Sequence, residues 1–121
     1  MSPEAQQSCV DESRVLSRLK SPHITKYYDS FLHRNAGGSK LYIVMEYLPG
    51  GTLQDLCDAA EAKGKRLSER WVWKALLQML LGLHHMHHER RTLHRDIKSL
   101  NVFLDKRRNI RIGDLGVARI L

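Results

Sequence analysis

The chain has 121 residues, enough for one modest core or a part of a larger domain. Hydrophobic residues make up 42% and charged residues 27%, a balance that excludes a disordered tail. Twenty Lys and Arg against 13 Asp and Glu give a net charge of +7, an excess that favours phosphates and other acidic partners.

In chain order, residues 3–19 read as a helix, with Ser2 as N-cap, Pro3 at the first position and Glu4 near the positive end. Its apolar face holds Val15, Leu16 and Leu19, and Glu12 shares that face. A carboxylate on the buried side of a helix needs a cation or donors, and the alternative, which pattern alone favours, is a boundary glutamate that reaches solvent. Ser21-Pro22 stops the helix. Two strands, 27–32 and 41–47, flank Asn35-Ala36-Gly37-Gly38-Ser39 and read as a hairpin. Leu48-Pro49-Gly50-Gly51 breaks the second strand, and 52–62 is a short helix. Residues 63–66 are a polar connection.

The strongest helix is 68–88. Val72, Leu76, Met79, Leu80 and Leu83 make one stripe, widened by Trp73, Leu77 and Leu81, a breadth that predicts burial in a core. Gly82 inside it costs about 1 kcal/mol against Ala and predicts a close approach there. The longest mostly apolar run, 75–83, includes Gln78 and is too short to span a membrane. Two short strands, 102–104 and 110–112, form a second hairpin. The chain closes on Ala118-Arg119-Ile120-Leu121, an apolar end that reads as a truncation. Met1–Gln7 lacks the basic-then-apolar order of a secretory signal. Cys9 and Cys57 are isolated, make no disulfide or zinc pattern, and fit a reducing compartment.

The chemistry gathers in His94-Arg95-Asp96-Ile97-Lys98-Ser99-Leu100-Asn101, between the long helix and the second hairpin, with Asp114-Leu115-Gly116 just after the last strand. Phosphoryl transfer needs a carboxylate for the attacking hydroxyl, a cation on the phosphate, and hard oxygen ligands for Mg²⁺. Asp96, Lys98, and the pair Asn101 and Asp114 supply those types.

The uninterrupted H-R-D-x-K-x-x-N pattern resembles the catalytic loop of eukaryotic protein kinases. Ser21-Pro22-His23-Ile24, Tyr27-Tyr28-Asp29-Ser30-Phe31, 93–104 and 113–119 are similar to the NIMA-related group, Leu115 included. The resemblance implies an α+β, two-lobed kinase fold, truncated, with 1–47 the end of the first lobe and 48–121 the hinge and start of the second. It implies a Ser/Thr kinase that moves the γ-phosphoryl of ATP, with Mg²⁺, to Ser or Thr hydroxyls of a protein substrate. Asp96, Lys98 and Asn101 are then catalytic, and Asn101 and Asp114 hold the metal. Glu12 becomes the helix-C glutamate that pairs with a third-strand lysine. Met45 is the gatekeeper, the backbone of Glu46 and Leu48 faces adenine, and Phe103 is the floor beneath it. By the same resemblance the location is cytoplasmic, with association to cytoskeleton, centrosome or cilium.

Neither the Gly-rich loop nor the third-strand lysine lies in the chain, and the later helices that should cover 68–88 are missing too, so 1–121 by itself is expected to fold poorly, to leave that helix's apolar face exposed and to transfer no phosphoryl group. The rival reading is a non-catalytic, pseudokinase-like scaffold. Blander readings compete locally. His84 and His88 at i, i+4 suit a metal, but no third ligand is evident, and the segment suits the negative end of a helix. Lys63-Gly64-Lys65-Arg66 and Lys106-Arg107-Arg108 are solvated turns rather than a nucleic-acid surface. His94 reads as structural, packed beneath Leu115.

Overall fold

A computed structural model describes residues 2–7, 10, 17–94, 96–113 and 119–120, with the side chains of Leu93, Arg119 and Ile120 left out. The described part falls into two compact units. The first comprises residues 1–20 and 26–46, the second 21–25 and 47–121.

In the first unit Pro3–Gln7 are helical. Ser2 caps them as its pattern predicts, its Oγ accepting from Ala5 N at 3.1 Å. Ser17 and Arg18 already form a turn, so this helix ends earlier than 19. Two antiparallel strands follow, β1 (Tyr27–Asn35) and β2 (Gly38–Met45). Both run closer to the turn than the residue pattern suggests, because Asn35 Oδ1 accepts from Gly37 N at 2.9 Å and folds the chain back at once. Asn35 pairs directly with Gly38. Tyr47, placed in the strand by sequence, lies beyond it. A register shift between Tyr27 and Asp29 leaves Tyr28 as an extra residue, and this bulge buries both Tyr27 and Ser30 although they sit three apart. Phe31 stacks on its cross-strand partner Tyr42 at 5.3 Å between centroids. Every residue of β2 is exposed.

The second unit is built on two helices and a short hairpin. Helix α1 (Leu53–Ala62) starts in a capping box: Thr52 Oγ1 accepts from Asp55 N, and Asp55 Oδ2 accepts from Thr52 N. Helix α2 (Glu69–His84) starts at Ser68, whose Oγ accepts from Trp71 N at 3.1 Å. The last turn, His85–Glu89, is π rather than α, closed by Arg90 N donating to His85 O. A two-residue strand β3 (Thr92–Leu93) pairs with β6 (Arg119–Ile120), a pairing too short to register as a pattern. Strands β4 (Val102–Leu104) and β5 (Ile110–Ile112) form the expected second hairpin.

The core joins Ala75 of α2 to Val102, Leu104 and Ile110 of the hairpin, with Leu53, Leu56, Trp71 and Met79 packed around them. The lone glutamine of the apolar run locks the two together. Gln78 Oε1 accepts from Ile110 N at 2.8 Å, and its Nε2 donates to Asn109 Oδ1 at 3.0 Å. Residues 21–25 complete this unit: Ile24 bridges Ile112 in parallel and is fully buried. Gly82 is the predicted close approach. A Cβ there would lie 2.9 Å from His23 O and 3.0 Å from Ile112 Cδ1.

The broad apolar stripe of α2 is left largely uncovered among the described residues, as expected for residues 1–121 taken alone. Trp73, Leu77 and Leu80 are each more than half exposed, and only Ala75 and Gly82 are buried. The elements that pack on α2 among the described residues approach it along one narrow line, the small residues 75 and 82 and the long Gln78 and Met79.

Candidate active site

Residues 94–101 lie between β3 and β4, and each end of the loop is fixed by hydrogen bonds. His94 is 1% exposed. Its Nδ1 accepts from Asp96 N at 3.1 Å, so its Nε2 carries the proton and donates to Gly113 O at 2.6 Å. The imidazole thus ties Asp96 to the residue that precedes Asp114. Its role is structural, as read from sequence; the packing beneath Leu115 lies outside the described residues.

Asn101 closes the other end. It sits in a single 3₁₀ turn, Ser99–Asn101, and is 5% exposed. Its Nδ2 donates to Asp96 Oδ2 and to Asp96 O, both at 2.9 Å. Its main-chain oxygen accepts from Gly113 N at 2.9 Å. With Nδ2 engaged on Asp96, the side-chain oxygen Oδ1 is what Asn101 presents to a cation. Lys98 Nζ lies 3.7 Å from Asp96 Oδ2, and both side chains are about half exposed. The structure therefore brings Asp96, Lys98 and Asn101 to one point, with the carboxylate held in place and the ammonium on its solvent side.

A hard-oxygen donor beside a fixed carboxylate suits Mg²⁺, which takes few protein ligands and keeps waters and phosphate oxygens for the rest. Asn101 fits that chemistry. Asp114, the second proposed ligand, lies outside the described residues, as does Glu12. No group of three or more His, Cys, Asp or Glu gathers for a metal among the described residues. His84 and His88 stack at 4.8 Å with no third ligand beside them.

The residues assigned to adenine are placed unit by unit. Met45 ends β2 and is exposed, and Glu46 follows it, its carboxylate Oε1 accepting from Lys26 N at 2.8 Å and its N–H donating to Lys26 O. Leu48, half-buried, begins the run that pairs along β4: Gly50 N donates to Leu104 O, and Leu104 N to Gly51 O. Phe103 is half-buried in β4 and bridges Thr52. Its ring limits what can precede Asp114, because a Cβ on Gly113 would fall 2.5 Å from Cδ2 and Cε2.

One contact escaped the sequence. Ser99 Oγ donates to Gln54 Oε1 at 2.5 Å, so the first turn of α1 braces the loop directly after Lys98. Two polar residues 45 positions apart carry no periodic signal that joins them.

The protein kinase domain model matches residues 1–121, the entire chain. The chain belongs to the protein kinase domain family. Its relatives include the probable serine/threonine-protein kinase nek2 of Dictyostelium discoideum, 38% identical over 123 residues that cover all of this chain and 29% of that protein. Serine/threonine-protein kinase Nek2 of Homo sapiens is 38% identical over 125 residues, again all of this chain and 28% of that protein. Serine/threonine-protein kinase Nek1 of Mus musculus is 41% identical over 121 residues, 10% of that protein. This kinase-domain segment therefore spans less than a third of the curated relatives it matches. The α+β architecture and the NIMA-related likeness read from the sequence agree with these matches. No helix among the described residues is long and apolar enough to cross a membrane.

Proposed function

We propose that this segment carries the catalytic loop of a Ser/Thr protein kinase that transfers the γ-phosphoryl of ATP to a protein hydroxyl. The supporting observation is the lock of Asn101 Nδ2 on Asp96 Oδ2 at 2.9 Å. A carboxylate held by one hydrogen bond and partly open to solvent is oriented to accept the proton of an incoming Ser or Thr hydroxyl. Lys98, 3.7 Å away, neutralises the phosphoryl group as it moves. Asn101 Oδ1 and the carboxylate of Asp114 would hold Mg²⁺, which neutralises phosphate charge when bound. Glu12 would position an upstream lysine, and Met45, Glu46, Leu48 and Phe103 would line the adenine slot. The substrate is a Ser/Thr protein, and the location is cytoplasmic with cytoskeletal or centrosomal association; both follow from the family likeness.

The test uses the full-length protein. Asp96→Asn should keep ATP affinity and lose at least about a hundredfold in kcat, the weight of a positioned base. Asp114→Ala should weaken Mg-nucleotide binding as well. Near-parental turnover of Asp96→Asn on a Ser peptide would overturn the assignment, and equal rates on a matched Tyr peptide would overturn the Ser/Thr specificity.

A further inference from the structure

We propose that Ser68 is a phosphorylation site for a basic-directed Ser/Thr protein kinase acting in trans, and that the phosphate settles in the groove lined by Ser68, Arg70, Trp71 and Lys74. The proposal is independent of the reading of the loop 94–101. It starts from the basic stretch Lys63, Lys65 and Arg66, which the function proposed above does not use.

The segment is presented as a substrate would be. After α1 the chain turns at Gly64, which has φ +63°, and residues 65–68 have no regular secondary structure. Lys65, Arg66 and Ser68 are exposed, and Lys63, Lys65 and Arg66 form no ion pair with any described residue. Ser68 itself is extended, with φ −64° and ψ 139°. Two exposed cations two and three residues before an exposed hydroxyl, in a stretch without regular structure that starts where Lys65 N donates to Ala60 O, match an acidic peptide-binding cleft through charge-assisted hydrogen bonds. The other basic turn, Lys106-Arg107-Arg108, has no hydroxyl residue close behind it.

A seat for the product is also present. Arg70 and Lys74 stand at i, i+4 on one face of α2 and line a groove of about 440 Å³ with Ser68. Like charges at that spacing repel, and an anion between them removes the repulsion. The reaction balances on its own co-substrate. Ser68 Oγ bonds to the γ-phosphorus of ATP, the bond from that phosphorus to the bridging oxygen breaks, and ADP leaves. The hydroxyl proton passes to the acting kinase's carboxylate and then to solvent. Ser68 Oγ accepts from Trp71 N in the unmodified chain, and the phosphate oxygens take over that acceptor role at the start of α2.

The full-length protein is incubated with MgATP and a purified kinase of the cyclic-AMP-dependent class, beside a control with MgATP alone, and the phosphate is mapped by tandem mass spectrometry. Ser68 should be the principal site, absent in Ser68→Ala and at least about tenfold slower in the Lys65→Ala, Arg66→Ala double variant. Hydrogen exchange at the amides of residues 70 and 71 should slow about fivefold on phosphorylation, and this gain should vanish in Arg70→Ala, Lys74→Ala. Phosphate mapped elsewhere, no incorporation, or an undiminished rate in the double variant would overturn the site. Protection that does not rise, or that survives loss of both groove cations, would overturn the seat.

Discussion

Replacing Asn101 by Asp changes one atom at the point where the site is most tightly held. In the native chain Nδ2 donates to Asp96 Oδ2 at 2.9 Å. In Asn101→Asp two carboxylate oxygens face each other across that distance. Two unit charges so placed repel by about 6 kcal/mol at an effective dielectric of 20 and about 1.4 kcal/mol in water. Asp96 is 40% exposed at its side chain and Asn101 is buried, so the interaction lies between these limits, about 3 kcal/mol. Protonation sets a ceiling. Holding one carboxyl neutral at pH 7 from an ordinary value near 4 costs about 4 kcal/mol, and at pH 5 only about 1.4 kcal/mol.

The pair therefore titrates with one value raised, and the sign is fixed by that. A carboxyl whose folded value lies above its unfolded value favours the folded state at low pH and loses that advantage as pH rises through the folded value. The penalty of Asn101→Asp should be about 3 kcal/mol at pH 7 and about half that at pH 5. Asn101→Ala should lose about 1.5–3 kcal/mol at both, because it removes a hydrogen bond to a charged group and adds no charge. The readout is the protection factor of the Gly113 amide, which donates to Asn101 O. About 3 kcal/mol corresponds to about a 150-fold loss at pH 7, shrinking to roughly tenfold at pH 5. A loss for Asn101→Asp that did not shrink on acidification, or that matched Asn101→Ala throughout, would refute the argument that Asp96 and Asn101 share one electrostatic site.

Gly113→Ala drives a Cβ into the Phe103 ring and should destabilise β4–β5 by about 2 kcal/mol, seen as faster exchange at Ile112 and Leu104; an unchanged pattern would mean that the ring moves aside freely. Burial pushes the Asp105 carboxyl up, but hydrogen bonds from the main chain of Asn109 and Arg107, from the Asn109 side chain, and the charge of Arg111 outweigh it and hold the carboxyl below its ordinary value. A depressed carboxyl stabilises the turn above its unfolded value and loses that contribution as pH falls through the folded one, so the Arg107 and Asn109 amides should lose protection only in that acid range, and not in Asp105→Asn. The exposed Trp73, Leu77 and Leu80 should bind a hydrophobic dye, and Leu77→Lys with Leu80→Glu should abolish most of that signal; dye binding that persisted would place the apolar surface elsewhere.

The local signals that the sequence carried were those written in neighbouring residues. Ser2 as a cap and the two hairpins are each specified within a few positions and appear in the structure, whereas the caps at Thr52–Asp55 and Ser68, equally local, emerge only there. The loop proposed as catalytic was legible because its residues are contiguous from His94 to Asn101. Along α2 the apolar face was legible, and so was its exposure in residues 1–121 alone; what covers it was not. Periodicity identifies a face that can be buried and says nothing about which residues arrive to cover it. The π turn at 85–89 and the Ser99–Gln54 brace were illegible for a related reason: each depends on partners or spacings that no repeating pattern encodes.

The division of the chain has a consequence for its synthesis. Residues 21–25 belong to the second unit, yet His23 meets the main chain of Ile110 only 87 residues later. At about 5–20 residues per second, translation leaves Ile24 waiting roughly 4–18 s for its strand neighbour Ile112 to be made. Throughout that interval the β1–β2 hairpin, whose contacts are local, is free to close. The second unit is thus complete only when the segment made first, 21–25, meets strand β5, made more than 80 residues later. A chain begun at Tyr47 would lack the peptide groups that pair with Ile112, and would present as an open edge what the intact chain seals.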